Sequence, residues 1–211
     1  MPCNNINLAH PDLPTSLVSS DGNSYAVNPD FHIVLACLQR LSDPDRNELE
    51  KALYLSYHFF LQKTPPDMGE LFSAFVSGTS STSNTSGEPV DENDSEPLMD
   101  FQQDSGVLYA SFRQSYGINL LTDPLHWIEF QQLLSALGPD TAFGNRVQLR
   151  SMDINSLPEQ ERSKWQKMKD NVAIVPKMSA AEQALQKELD RRLVAGEDPA
   201  EIIEQLKDNK F

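Results

Sequence analysis

The chain has 211 residues, enough for one compact domain with appendages and a buried core. Lys and Arg total 17 against 31 Asp and Glu, a formal net charge of -14. A field of that sign repels phosphate backbones and anionic headgroups, which argues against nucleic acid and membrane surfaces as partners.

Within the chain the acidity is uneven. No Lys or Arg occurs from Thr64 through Phe112, which reads first as a solvated acidic segment, with an acidic docking surface as the rival. Cys3 and Cys37 alone make no disulfide framework and fit a reducing compartment. No window approaches the ~20 apolar residues needed to span a bilayer, and the start Met1-Pro2-Cys3-Asn4-Asn5 lacks the features of a secretory signal. The protein is expected to stay in the cytoplasm where it is made.

In chain order, Ser16-Leu17-Val18 and Tyr25-Ala26-Val27 flank Ser20-Asp21-Gly22-Asn23 and predict a β-hairpin, the Asp-Gly pair supplying the positive φ angles of a type I′ turn. Asn28-Pro29 reads as the cap and first residue of a helix striped by Phe31, Val34, Leu35, Leu38 and Leu41. Asp43-Pro44 repeats that signal for a second helix running to about Gln62, with Leu49, Leu53, Tyr57, Phe60 and Leu61 on one face. Thr64-Pro65-Pro66 opens a third, with Met68, Leu71, Phe72 and Phe75 as its stripe and Gly78 at its end. Residues 1–77 thus predict a hairpin and a three-helix unit.

From 78 to 97 the Ser/Thr-rich and then acidic composition cannot offset the ~1 to 2 kcal/mol per residue lost on ordering backbone, and predicts a flexible linker. In 98–175 a helical core region follows. Phe101, Val107, Leu108, Phe112 and Tyr116 mark one helix ended by Gly117, and Asp123-Pro124 starts another carrying Trp127, Ile128, Phe130, Leu134 and Leu137. Asp140 or Thr141 caps a short helix with Phe143 and Val147, in which Gly144 is unfavourable by ~1 kcal/mol relative to Ala. Ser156 and Pro158 begin a charged helix to about Asn171, anchored by Trp165 and Met168.

Residues 176–211 form a tail with two capping-box signals, Ser179-Ala180-Ala181-Glu182 and Asp198-Pro199-Ala200-Glu201. Leu185, Leu189 and Leu193 stripe the first of its helices and Ile202, Ile203 and Leu206 the second, with Gly196 between them. The fold class is therefore mainly α, with a short N-terminal β-hairpin and a C-terminal helical hairpin or arm.

Residues able to carry chemistry are sparse. His10, His32, His58 and His126 show no metal-ligand spacing, and the last three sit beside apolar stripes, where hydrogen-bonded structural histidines are the expectation. Cys37 shares a face with Val34, Leu38 and Leu41, where a thiol behaves as a small hydrophobe. There is no Walker-type or G-x-G-x-x-G motif. No enzyme, no metal and no cofactor is expected.

The order of motifs carries more. Ser24-Tyr25-Ala26-Val27-Asn28-Pro29-Asp30-Phe31, Phe112-Arg113-Gln114-Ser115-Tyr116-Gly117-Ile118-Asn119-Leu120, Leu125-His126-Trp127, Phe130 to Leu137 and Arg150-Ser151-Met152-Asp153 together resemble the bacteriophage gene product fifteen family. The similarity runs from about Leu13 to Val175. It departs at Ile128, where relatives often carry a second aromatic, in the Ser/Thr/Asn linker, and after Pro176. The resemblance implies a tail assembly chaperone of long-tailed phages, which binds the tape-measure protein, self-associates along it and gives way to tail-tube protein. It also implies residence in the host cytoplasm and absence from the mature virion. A structural virion protein, such as a tail-completion or connector subunit, is the alternative. Partner contact is expected from helix faces, with Leu185, Leu189, Ile202, Ile203 and Leu206 as the partner-binding residues.

Overall fold

The computed structural model describes residues 12–78, 97–176, 178–194 and 197. Residues 79–96 of the linker expected over 78–97, His10, Cys3 and the expected second tail helix, with Ile202, Ile203 and Leu206, lie outside the described residues. Within them the chain forms one antiparallel hairpin, β1 (Ser16–Val18) and β2 (Ser24–Ala26), and eight α-helices.

The hairpin pairs Leu17 with Tyr25. Its loop is not a type I′ turn, because only Gly22 (φ 78°) is left-handed there. The Asp21 carboxylate folds back to accept from the Asn23 amide, the Asn23 side chain and the Tyr25 hydroxyl, while the Ser19 N–H donates to the Asn23 carbonyl at 2.9 Å. That network holds a wider loop in which one positive φ suffices.

Helix α1 (Phe31–Leu41) starts two residues later than its Asn-Pro signal predicts, with Asp30 as the cap. The reason is long-range. Pro29 and Asp30 are extended because they pair with the chain around His126: the Phe31 N–H donates to the Leu125 carbonyl at 3.0 Å and the Trp127 N–H to the Pro29 carbonyl at 2.8 Å. Asn28 instead accepts from the Asp30 N–H.

Helix α2 (Glu48–His58) likewise begins at Asn47, whose side chain accepts from the Glu50 N–H at 2.8 Å, rather than at Asp43. Asp43 accepts from the Asp45 N–H and shapes a turn. The helix also stops before Gln62. Leu61 (φ 51°) and Gln62 (φ 69°) both adopt left-handed backbone, and the turn is held by Gln62 N–H to the Ser56 carbonyl and by the Ser56 hydroxyl to the Lys63 carbonyl. This turn keeps Phe59 and Phe60 fully buried while Leu61 faces out.

Helix α3 (Met68–Ser77) and helix α4 (Ser105–Tyr116) end as their sequences predict, on left-handed Gly78 and Gly117. Helix α5 (Trp127–Ser135) is capped by His126 instead of Asp123, in a capping box with Glu129. Asp123 accepts from the Asn119 N–H in the preceding loop. Thr141 caps α6 (Ala142–Ser151) by accepting from the Gly144 N–H. Gly144 is required for packing: a Cβ there would sit 2.0 Å from the Gly138 carbonyl oxygen.

One core cluster joins the hairpin and α1 to α6. Phe130 is its hub, stacked on Phe31 at 4.8 Å, Phe112 at 5.4 Å and Trp127 at 5.6 Å between ring centroids. After a 3₁₀ turn at Ile154–Ser156 come α7 (Glu159–Asp170) and α8 (Ala180–Val194), neither of which buries a residue fully. Trp165 and Met168 therefore do not anchor α7 in a core; Trp165 is half-buried and Met168 exposed. Polar ties replace them: Lys169 Nζ donates to the Met152 carbonyl and Arg150 Nε to the Val172 carbonyl.

Candidate functional site

The described histidines, His32, His58 and His126, take structural positions. His126 Nδ1 accepts from the Ile128 N–H at 3.1 Å and Nε2 faces the Pro14 carbonyl at 3.1 Å, so one ring caps α5 and ties it to the segment before β1. His32 lies between the Asp30 carboxylate and the Leu120 carbonyl. His58 stacks against Tyr54 and meets Tyr57 edge-on. Burial pushes the Cys37 thiol up to about 12, leaving it protonated and inert at neutral pH.

The strongest electrostatic feature supports the scaffold. Asp104, buried at the head of α4, accepts from both terminal nitrogens of Arg150 (2.5 and 2.8 Å), from Arg146 at 2.8 Å and from the Asp100 N–H at 3.0 Å. Burial pushes its carboxyl up, but the guanidiniums more than reverse this and bring it down to about 2. Arg150 also donates to the carbonyls of Leu98 and Val172. One side chain thus pins the chain just after the linker, α6 and the end of α7 to each other. Arg146 and Arg150 stand four apart on α6, a visible sequence signal, but their partner 46 residues away is not.

Among the described residues, no group of three or more His, Cys, Asp or Glu could hold a metal. Open cavities occur among the described residues, two of which are well defined. One of about 370 Å³ lies between the Met152–Asn155 segment and α7, and one of about 570 Å³ lies among Asp43, Asp45, Gln102, Pro176 and Met178. Amides, carboxylates and Lys169 line them together with apolar side chains such as Met152, Ile154, Val175 and Met178.

What the surface does present is apolar. On α2, Leu49 is 69%, Leu53 60% and Tyr57 60% exposed, and Leu61 just beyond is 49% exposed. The spacing of the first three is four residues, which aligns them on one face. The residues expected on one face are split: Phe60, just beyond the helix end, is fully buried with Leu55 and Phe59, while Leu49, Leu53, Tyr57 and Leu61 face outward. On α8, Leu185 and Leu193 are exposed, Leu189 is half-buried and Val194 is exposed. The Ala180 N–H donates to the Asp45 carboxylate (3.0 and 3.2 Å), and Gln103 clamps Val175 through its N–H and carbonyl. These bonds hold the head of α8 beside the turn that precedes α2. Of the residues expected to bind a partner, Leu185 and Leu189 lie on this helix, and the structure adds the α2 ridge.

A family model described as Bacteriophage Gp15 protein matches residues 11–174. The chain belongs to that family. The match takes in the hairpin, α1 to α7 and the Asp104 cluster, and stops before α8. Membership in the phage Gp15 family makes the chain a bacteriophage structural or assembly protein. No curated protein and no solved structure matches it. No described helix of this Gp15 protein is long and apolar enough to cross a membrane.

Proposed function

We propose that this phage Gp15 protein is a non-enzymatic tail assembly chaperone, which binds the tape-measure protein and keeps it soluble until the tail tube polymerises around it. The observation that carries the reading is the outward apolar face of α2, together with the exposed Leu185 and Leu193 of α8, on a chain of net charge -14. Contiguous apolar patches on a protein surface mark interaction sites, and Leu49, Leu53 and Tyr57 align on one face of α2. A very long helical client exposes matching stripes before assembly. An acidic cover both masks those stripes and repels other coated complexes.

Each ridge is small, so affinity comes from many copies arrayed along one client, and each copy can be displaced by a tail-tube subunit. The action is placed in the host cytoplasm. Co-expression with the tape-measure protein of the same phage tests this: that protein stays soluble only when the chain is present. A permanent structural role in the virion is the second reading, supported by the same family membership. Mass spectrometry of purified particles separates the two, since abundant chain in the particle contradicts the chaperone reading.

A further inference from the structure

We propose that α8 is a releasable arm, held on the body by two hydrogen-bonded pins and able to come free while α1 to α6 stay folded. One pin is Gln103 on Val175, the other Asp45 on the head of α8. The arm is a device of the fold and does not depend on whether the chain acts as a chaperone or as a virion subunit.

Three observations carry it. First, the pins are few, polar and exposed. The Gln103 side chain accepts from the Val175 N–H at 3.0 Å and donates to the Val175 carbonyl at 2.7 Å, and the Ala180 N–H donates to both oxygens of the Asp45 carboxylate at 3.0 and 3.2 Å. Second, the chain between the pins does not pack down on the body. Pro176 and Met178 line a cavity of about 570 Å³ that Gln39, Asp43 and Gln102 line from the other elements. Third, α8 buries no side chain fully: Leu189 and Arg192 are half-buried, and Leu185, Leu193 and Val194 are exposed.

The contrast with α7 shows where the division falls. Helix α7 also buries no residue fully, but its end is held at Val172 by the buried Arg150 guanidinium, which the Asp104 carboxylate fixes in turn. Three residues later the attachment passes to exposed bonds, for which water competes. The family match ends at residue 174, between the buried tie and the exposed pins. An element with so little buried apolar surface opens at a lower free energy than the core. Once free, a helix of this length is marginal in water, so release appears as faster exchange of its amides.

Amide hydrogen exchange on the full-length chain, followed by mass spectrometry, tests the arm in the parent, Asp45→Ala, Gln103→Ala and Asp45→Asn. Amides of 184–194 are expected to exchange at least about tenfold faster than those of α5 in the parent. Asp45→Ala should speed α8 further by roughly tenfold, the scale of a lost helix cap, and leave α5 unchanged. Gln103→Ala should act in the same direction. Asp45→Asn, whose amide oxygen still accepts, should stay near the parent.

Exchange of α8 and α5 at one common rate in the parent would mean that the arm leaves only when the whole fold does. Pin variants with unchanged α8 exchange would show a helix that frays in place, with no part played by Asp45 or Gln103. Variants that speed α5 as much as α8 would make the pins part of the core. Each of these three results overturns the proposal.

Discussion

Asp104 is the residue on which the C-terminal half of the fold most depends. It is buried, and it meets Arg150 through two bonds and Arg146 through a third. Replacing it with Ala leaves the buried Arg150 guanidinium without its carboxylate, and removing one partner of such a pair costs about 3 to 5 kcal/mol. Urea unfolding of Asp104→Ala checks this. Its carboxyl titrates at about 2 in the fold, below the ordinary 3.8 of the unfolded chain. The stabilisation is therefore fully present above about pH 4, falls progressively as pH drops from about 4 to about 2, and amounts to roughly 2 kcal/mol. A pH series of unfolding midpoints should show that loss in the parent and not in Asp104→Ala. At Gly144 a methyl group would meet the Gly138 carbonyl at 2.0 Å. Gly144→Ala should accordingly destabilise by about 1 to 3 kcal/mol, although alanine is the better helix former.

Among the elements, the end of α2 makes the sharpest prediction. Gln62 holds φ 69° without being glycine, so Gln62→Gly relieves about 1 kcal/mol of left-handed strain and should raise the unfolding midpoint. The start of α5 makes another: His126→Ala removes a cap and the tie to Pro14, and should lower stability by about 1 to 2 kcal/mol. These elements also show what could be read in advance. Helices α3 and α4 end where their glycines stand, because a left-handed terminus is a local requirement. The starts of α1, α2 and α5 move because Asn28, Asp43 and Asp123 direct their side chains to local turns, while Asp30 and His126 become caps through a bridge between segments 96 residues apart in the chain. No periodicity encodes such a bridge. The stripe on α2 was legible as a stripe, but which face the core would claim depended on Phe59 and Phe60 turning inward beyond the helix end.

At the scale of the molecule, the described chain divides its labour. The aromatic hub around Phe130 fixes the hairpin and α1 to α6, and the Asp104 cluster ties in α7. Helix α8 is held at its head by Asp45 and otherwise contributes no fully buried side chain. Family membership was readable from motif order, because those motifs are the chain's structural fixings: Tyr116 donates to the Leu133 carbonyl, His126 caps α5, and Arg150 holds Asp104. The exposure of Leu49, Leu53 and Tyr57 was not, since an apolar residue reads alike in sequence whether it faces the core or the surface.

The mass of the complex isolated from cells co-expressing this chain with the tape-measure protein tests the central claim most directly. The account predicts a soluble complex holding several copies of the chain per tape-measure molecule, dissociating as salt is raised. A pelleted tape-measure protein, with the chain left alone in the supernatant, would contradict it.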